Sequence, residues 1–444
     1  MPQTRDISPT SGPWRFRRDL WQQVLMAAVL VLHLVFLISA LKNDRFLIDD
    51  SVQYLTLAEN MDEEGVFSQS YSAPFVPDVQ RVPGYPLFLT ALGRSIPLIL
   101  IVQHLLVLFT GLMIYRTLKE LVAEKYARIG AWGYLLQPYP VIFASMVLSE
   151  TLFTVVLVAS LGHYLRYWKG GKLRDVMIAL VWMGAAAYVR PLGWPLLLVM
   201  AGLTIGRVVW MRKMVPQSMS VKVGLACILL PMLLAGPWML RNQSVTGRMT
   251  FNSMGDMGML HGRLGGLAAF REGKGVGEHE LYMAGDSLAA TDLGLKDLRQ
   301  YYSAKQNHET ELYAPGVGGV TVGYFLKYPA SGIAFQAKSV WAMLTGVGYG
   351  WAGFVTESKG MAIATAGIQV HFNALMFFGF LIAIWRFRRW KGWMWVLAGA
   401  IALLFVMSAA AWADGRYRVV IDPLLLMGLM WLLDDRKTEL SNRT

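Results

Sequence analysis

The sequence holds one cysteine, Cys227, in 444 residues, which excludes an internal disulfide and any cysteine metal cluster. Charge is scarce as well: 16% of the residues are Asp, Glu, Lys or Arg, whereas 55% are hydrophobic, a composition too apolar for an ordinary soluble surface. No GxxxxGK phosphate loop is present. The glycine-rich stretches also lack a strand-and-helix setting, so neither nucleotide binding nor an ATP-driven mechanism is supported. The seven histidines show no metal-ligand spacing: His261, His279 and His308 stand far apart, and His33, His104, His163 and His371 read as packed or interfacial. There is no internal repeat and no low-complexity tail.

Long apolar runs take the place of these features. A helix needs about 20 apolar residues to cross the hydrocarbon core. Runs of that order lie near 20–41, 96–115, 129–147, 148–168, 174–189, 191–211, 221–240, 361–385, 392–412 and 417–433, which predicts an all-α polytopic membrane protein with roughly ten spans. The net charge of +12 is not spread as a nucleic-acid surface would require. Lys and Arg gather at one end of each run, in RFRR, RTLKELVAEKYAR, RYWKGGKLR, RVVWMRK, WRFRRWKGW and DDRK. The positive-inside rule places these connections and both termini in the cytoplasm. The first run has the basic flank of a signal peptide, but it is long and lacks a small-residue cleavage site, so it reads as a retained anchor. The 16 tryptophans and 18 tyrosines concentrate near span ends, an aromatic belt rather than a base-stacking platform. The expected organisation is a cytoplasmic segment 1–19, a transmembrane core 20–240 with a first outer loop at 42–95, an outer loop region 241–360, C-terminal spans over 361–433 and a cytoplasmic tail 434–444.

The first outer loop is the most patterned polar stretch. Asp50 or Ser51 can cap a helix beginning at Val52, and Gly65 can end it. Val52, Leu55, Ala58 and Met61 recur at helical spacing, which lays the helix along the membrane surface and leaves Asp49 and Asp50 at the bilayer boundary. A carboxylate at that depth can take a proton from a hydroxyl or amine, or bind a metal. Equally, Asp50 can be an N-cap and Asp49 a solvated flank. The second outer segment mixes MLHGRLGG, REGKGVGEH and APGVGGV with an amphipathic piece from Tyr324 to about Leu344, and reads as loops and interfacial helices packed on the membrane.

Asp50-x-x-x-Tyr54-x-x-x-Ala58, followed by Gly65 and then Arg81-Val82-Pro83-Gly84-Tyr85-Pro86, resembles the first outer loop of the C-type (GT-C) glycosyltransferase superfold. The nearest branch is that of the protein O-mannosyltransferases and the aminoarabinose transferases that modify lipid A. Further segments resemble the family in order: Leu148-Ser149-Glu150-Thr151-Leu152-Phe153, Tyr188-Val189-Arg190-Pro191, Pro237-Trp238-x-x-Arg241-Asn242, Lys327-Tyr328-Pro329 and Arg416-Tyr417-Arg418. The ordered set spans most of the chain. The resemblance implies a GT-C-like bundle with interfacial helices in two outer loops. It implies inverting transfer of a hexosyl or pentosyl group from a polyprenyl-phosphate donor to a lipid, polysaccharide or protein acceptor on the periplasmic face of a bacterial inner membrane. Asp50 takes the part of the base, with Tyr54, Tyr85, Glu150 and Arg241 near the substrates. Many members carry glutamate after the aspartate, whereas here Ser51 follows Asp50 and Asp49 precedes it; the spacing to Tyr54 favours Asp50.

Arginines also occur where the positive-inside rule makes them scarce: Arg190 between two spans, and Arg416 and Arg418 in ADGRYR. Guanidinium groups bind phosphate oxygens through fixed forked donors, and a polyprenyl phosphate sets its charge at this depth with its tail among helices and membrane lipids. Arg416 and Arg418, with Arg190 and Arg81, are therefore candidates for the donor phosphate. The alternative is that they pair with Asp414, Asp256 or Glu150, or touch anionic headgroups. Oxygen ligands from Asp49, Asp50 and Glu150 would suit Mg or Mn. Two rival functions are a transporter or lipid flippase, and a ligase or polymerase of lipid-linked glycans. The first is disfavoured by the absence of repeated halves and midplane charges, and the second should lean less on an aspartate just after the first span.

Overall fold

The computed structural model describes residues 13–210, 217–247, 249–254, 258–273, 317–346, 348–385, 392–408 and 415–434. Asp256, Asp414, His279 and His308, together with both chain ends, lie outside the described residues. Among the described residues all regular structure is helical, apart from an isolated β-bridge between Ser68 and Pro77.

Helix α1 (Pro13–Lys42) shows why the bundle needs a membrane. Val29, His33, Phe36 and Ala40 face inward and are buried, while Trp21, Val31, Leu34 and Ile38 on the other faces are more than half exposed. The same division recurs on α4 (Ile96–Leu121), α9 (Gly193–Trp210), α10 (Gln217–Thr246) and α15 (Lys359–Trp385). Bare apolar surface of this extent is stable only against hydrocarbon. Among the described residues five helical stretches are long and apolar enough to cross a membrane: Leu20–Lys42, Ile96–Leu121, Gly193–Trp210, Ser220–Thr246 and Lys359–Gly379. Between them, α7 (Glu150–Gly170) and α8 (Leu173–Val189) pack together as a hairpin, with α7 buried on nearly every side.

Two sequence expectations change. The run at 129–147 is not one span but two helices, α5 (Glu124–Leu135) and α6 (Pro138–Ala144). Pro138 cannot donate a backbone hydrogen bond, and it holds Gln137 in extended backbone, so the helix restarts there. Helix α2 runs Asp49–Glu63, beginning three residues before Val52. Neither aspartate caps it; instead the Ser51 hydroxyl accepts the Ile48 N–H at 3.1 Å. Its buried face is Ser51, Tyr54, Leu57 and Ala58, whereas Val52 is exposed, because α2 packs on α3 (Gly84–Ala91) rather than lying free on the membrane. Gly65, just beyond the end of α2, takes the left-handed conformation at φ 67°.

The remaining elements are a π-helical stretch (Gly258–Gly265), α11 (Gly266–Arg271), α12 (Val317–Lys327), α13 (Pro329–Thr345), α14 (Tyr349–Thr356), α16 (Gly392–Ser408), α17 (Gly415–Arg418) and α18 (Asp422–Leu433). Pro329 opens α13 at its first turn, where a missing N–H leaves nothing unsatisfied. The end of α1, the α2–α3 loop, the α6–α7 turn, the α8–α9 turn and α17 meet at one end of the bundle, where Val147 bonds Phe46 and charged side chains of the other segments pair.

A candidate anion-binding site at one end of the bundle

Five charged side chains from five chain segments converge there. Asp50, on the first turn of α2, has Arg81 Nη2 at 2.5 Å on Oδ1 and Arg416 Nη2 at 2.5 Å on Oδ2. Glu150, the first residue of α7, has Arg190 Nη1 at 2.8 Å and Arg416 Nε at 2.6 Å, both on Oε1. Arg416 thus bridges the two carboxylates. Burial alone would raise the Asp50 carboxyl, but the adjacent Arg81 and Arg416 guanidinium groups outweigh it and hold the group far below the usual carboxylate range. Among these five groups three cations face two anions, an excess of one positive charge in a mostly buried cluster.

Neutral groups complete the wall. Arg81 Nε and Nη2 donate to Gln53 Oε1 at 2.9 and 2.6 Å, and its guanidinium lies 4.9 Å from the Tyr54 ring centroid. Tyr54 Oη meets Ser149 Oγ at 3.2 Å and accepts from Arg81 Nη1 at 3.3 Å, while Tyr54 and Tyr85 pack edge to face at 4.9 Å. The Glu150 side chain is 1% exposed, and its Oε2 has no hydrogen-bond partner among the described residues.

Two glycines set the backbone. A Cβ on Gly84 would lie 2.5 Å from the Tyr188 carbonyl oxygen, so only glycine lets α3 touch the end of α8 and bring Arg81 near Arg190. A Cβ on Gly193 would lie 2.4 Å from the Ala187 nitrogen, which fixes the tight Arg190-Pro191 turn. Asp78 closes the approach to Arg81: its Oδ1 accepts the Arg81 N–H at 2.8 Å and its Oδ2 accepts from Gln69. Burial pushes the Asp78 carboxyl above its ordinary range despite these bonds.

The structure brings Asp50, Arg81, Glu150, Arg190 and Arg416 together, with Tyr54 and Tyr85 beside them. Asp49 is exposed and pairs with no described residue. Arg418 turns away from the cluster: it is buried, pairs with Asp422 at 2.9 Å, donates to the Leu344 carbonyl at 2.6 Å and lies over Tyr139. Arg241 donates to the Asp78 carbonyl at 2.5 Å and stacks near Trp238 and Phe67, bracing the loop that carries Arg81. No group of three metal-ligating side chains converges among the described residues. Both Asp50 oxygens and Glu150 Oε1 accept from guanidinium groups, Glu150 Oε2 alone is unpartnered among the described residues and Asp49 is exposed, so these three carboxylates do not form a ligand set for a divalent cation.

No protein-family model and no curated protein matches the chain. In fold it is similar to the Archaeoglobus fulgidus oligosaccharyltransferase in its apo form, at 12% identity and a TM-score of 0.48 over 94% of this chain and 51% of that one. It is similar also to the oligosaccharyltransferase AglB of that organism in complex with an inhibitory peptide and a dolichol-phosphate, at 11% identity and 0.45 over 95% and 51%. A third likeness is to ArnT from Cupriavidus metallidurans bound to undecaprenyl phosphate, at 13% identity and 0.41 over 92% and 77%. The chain spans about half the length of the two oligosaccharyltransferase structures.

Proposed function

We propose that this chain is a membrane glycosyltransferase that takes a sugar from a polyprenyl-phosphate donor at the charged end of the bundle, on the periplasmic face of a bacterial inner membrane. The observation that carries the reading is the convergence of charge: Arg81, Arg190 and Arg416, on three separate segments, share Asp50 and Glu150 at the boundary of the apolar bundle, one cation more than anions among these five described groups. A phosphodiester bearing one negative charge neutralises the excess, and guanidinium forks suit its oxygens. The ordered motifs from Asp50 to Arg416 supply the chemistry that the charges alone do not.

In the proposed step the acceptor oxygen or nitrogen attacks the anomeric carbon from the face opposite the phosphate, and configuration inverts. The bond from that carbon to the phosphate oxygen breaks, and its electron pair leaves on the polyprenyl phosphate. The arginines stabilise the charge gathering there. Asp50 takes the acceptor proton. Held by two arginines, Asp50 is a weak base; a phosphate that draws Arg416 and Arg81 toward itself raises its basicity where the acceptor arrives. Glu150 Oε2 is available to accept a hydrogen bond from a substrate hydroxyl.

The test is incubation of the purified protein in nanodiscs with short polyprenyl-phosphate sugars and candidate acceptors, scoring free polyprenyl phosphate. Its release with a glycosylated product supports the reading. No release from any donor, together with transfer of the intact lipid across the bilayer when the protein is placed in sealed liposomes, overturns it in favour of a transporter.

A further inference from the structure

We infer that Gln103 and His104, neighbours on α4 and buried inside a membrane span, are positioning residues that set the two carboxylates of the site without touching either. Both act on the turn from Ser145 to Ser149 that joins α6 to α7. All five of its residues are fully buried. Backbone buried at this depth has no water to satisfy it, so its polar groups need protein partners.

Gln103 supplies two of them. Its Nε2 donates to the Ala144 carbonyl at 3.0 Å and to the Met146 carbonyl at 2.7 Å, while its Oε1 accepts from Tyr85 Oη at 2.7 Å. Both amide hydrogens and one acceptor position are thereby used. Glutamate could still accept from Tyr85 but, even when protonated, has one hydrogen for the two carbonyls, and leucine offers neither.

His104 holds the same turn by its hydroxyl. Ser145 Oγ donates its one hydrogen to the Val141 carbonyl at 2.8 Å, so in its contact with His104 Nε2 at 3.1 Å the imidazole is the donor. That assignment makes His104 Nδ1 an acceptor. His33 Nδ1, 2.8 Å away on α1, is then the donor to it. The network ties α1, α4 and the turn into one unit.

The turn in its turn places the site. The Val147 N–H donates to the Phe46 carbonyl at 2.9 Å, four residues before Asp50, and Ser149 Oγ meets both Tyr54 Oη and Arg190 Nη1. Glu150 follows directly as the first residue of α7. A shift of this turn therefore moves Glu150 and loosens the segment carrying Asp50. Arg81, Arg190 and Arg416 hang from other segments, so the anion-binding donors keep their backbone anchors.

The kinetic readout rests on the transferase reading; the structural readout does not. With a short polyprenyl-phosphate sugar as donor, Gln103→Leu and Gln103→Glu should each lower kcat at least about tenfold while donor KM changes less than about threefold, and Ser145→Ala should follow the same pattern more weakly. A cryo-EM structure of Gln103→Glu should show the Val147–Phe46 and Glu150–Arg416 contacts lengthened beyond hydrogen-bond range. Should Gln103→Leu fail to fold, Gln103→Glu and Ser145→Ala carry both readouts. Equal losses in kcat and KM, or contacts unchanged in the variant structure, overturn the inference. If the wild type consumes no donor, the transferase reading fails and the structural comparison alone decides the role of Gln103.

Discussion

Replacing Glu150 by glutamine tests the charge count most sharply, because it should weaken the free protein and strengthen its grip on an anion at once. Glutamine keeps the shape of Glu150 and leaves an oxygen for Arg190 and Arg416, but of the five converging groups three guanidinium groups then share one carboxylate, Asp50. Removing one member of a buried ionic set costs about 3–5 kcal/mol. With the Glu150 side chain 1% exposed, solvent offers little screening, and the unfolding midpoint in detergent should fall by several degrees. Two unit charges about 4 Å apart interact by about 4 kcal/mol at an effective dielectric near 20. Relaxation of the arginines absorbs part of this, so a gain of at least about 1.4 kcal/mol, or tenfold, is expected in affinity for polyprenyl phosphate. The assay is thermal unfolding of both proteins across a titration of the lipid. The stabilisation grows as RT ln(1 + [L]/Kd), so the gap between wild type and variant should narrow as lipid is added. An unchanged gap, or weaker binding by Glu150→Gln, would refute the argument that the cluster has a cation in excess.

Further outcomes follow from other parts of the structure. Gly84→Ala should destabilise by about 1–3 kcal/mol through overpacking against the Tyr188 backbone, more than the roughly 1 kcal/mol of helix propensity gained, and thermal unfolding will show the sign. Arg418→Met should cost about 3–5 kcal/mol in the same assay by leaving Asp422 buried without its cation, and adding Asp422→Leu should recover much of the loss. Asp50, whose pKa is depressed in the fold, contributes stability that is fully present above about pH 4 and declines below it, and Asp50→Asn should flatten that limb of a stability–pH curve. Asp78 has the opposite sign: its raised pKa favours the fold below about pH 4 and is lost as pH rises through the folded value, so Asp78→Asn should compare better with wild type at pH 8 than at pH 4.

Much of this arrangement is legible in the sequence because charge in an apolar chain is conspicuous. Asp50, Glu150, Arg190 and Arg416 each stand at the edge of a hydrophobic run, and the alternation of basic connections assigns those edges to one side. Which arginine meets which carboxylate is not written locally. Arg416 and Arg418 are two residues apart, yet one bridges Asp50 and Glu150 while the other closes on Asp422, four residues further along the chain. The break between α5 and α6 left a local mark in Gln137-Pro138, but the apolar run across it masks the signal. The buried face of α2 is chosen by packing on α3, which local periodicity does not record. Gln53, Asp78 and Gln103 carried only the signal of polar side chains in or beside apolar stretches. Gln103 and His104 stand side by side in a run free of Asp, Glu, Lys and Arg.

The most direct measurement is donor turnover by wild type and Asp50→Asn in nanodiscs with a panel of short polyprenyl-phosphate sugars, alongside unfolding and lipid binding of both proteins. The account predicts that wild type releases free polyprenyl phosphate and that Asp50→Asn is slower by about 100-fold or more while it still folds and binds the lipid. Turnover by Asp50→Asn equal to that of wild type would contradict it.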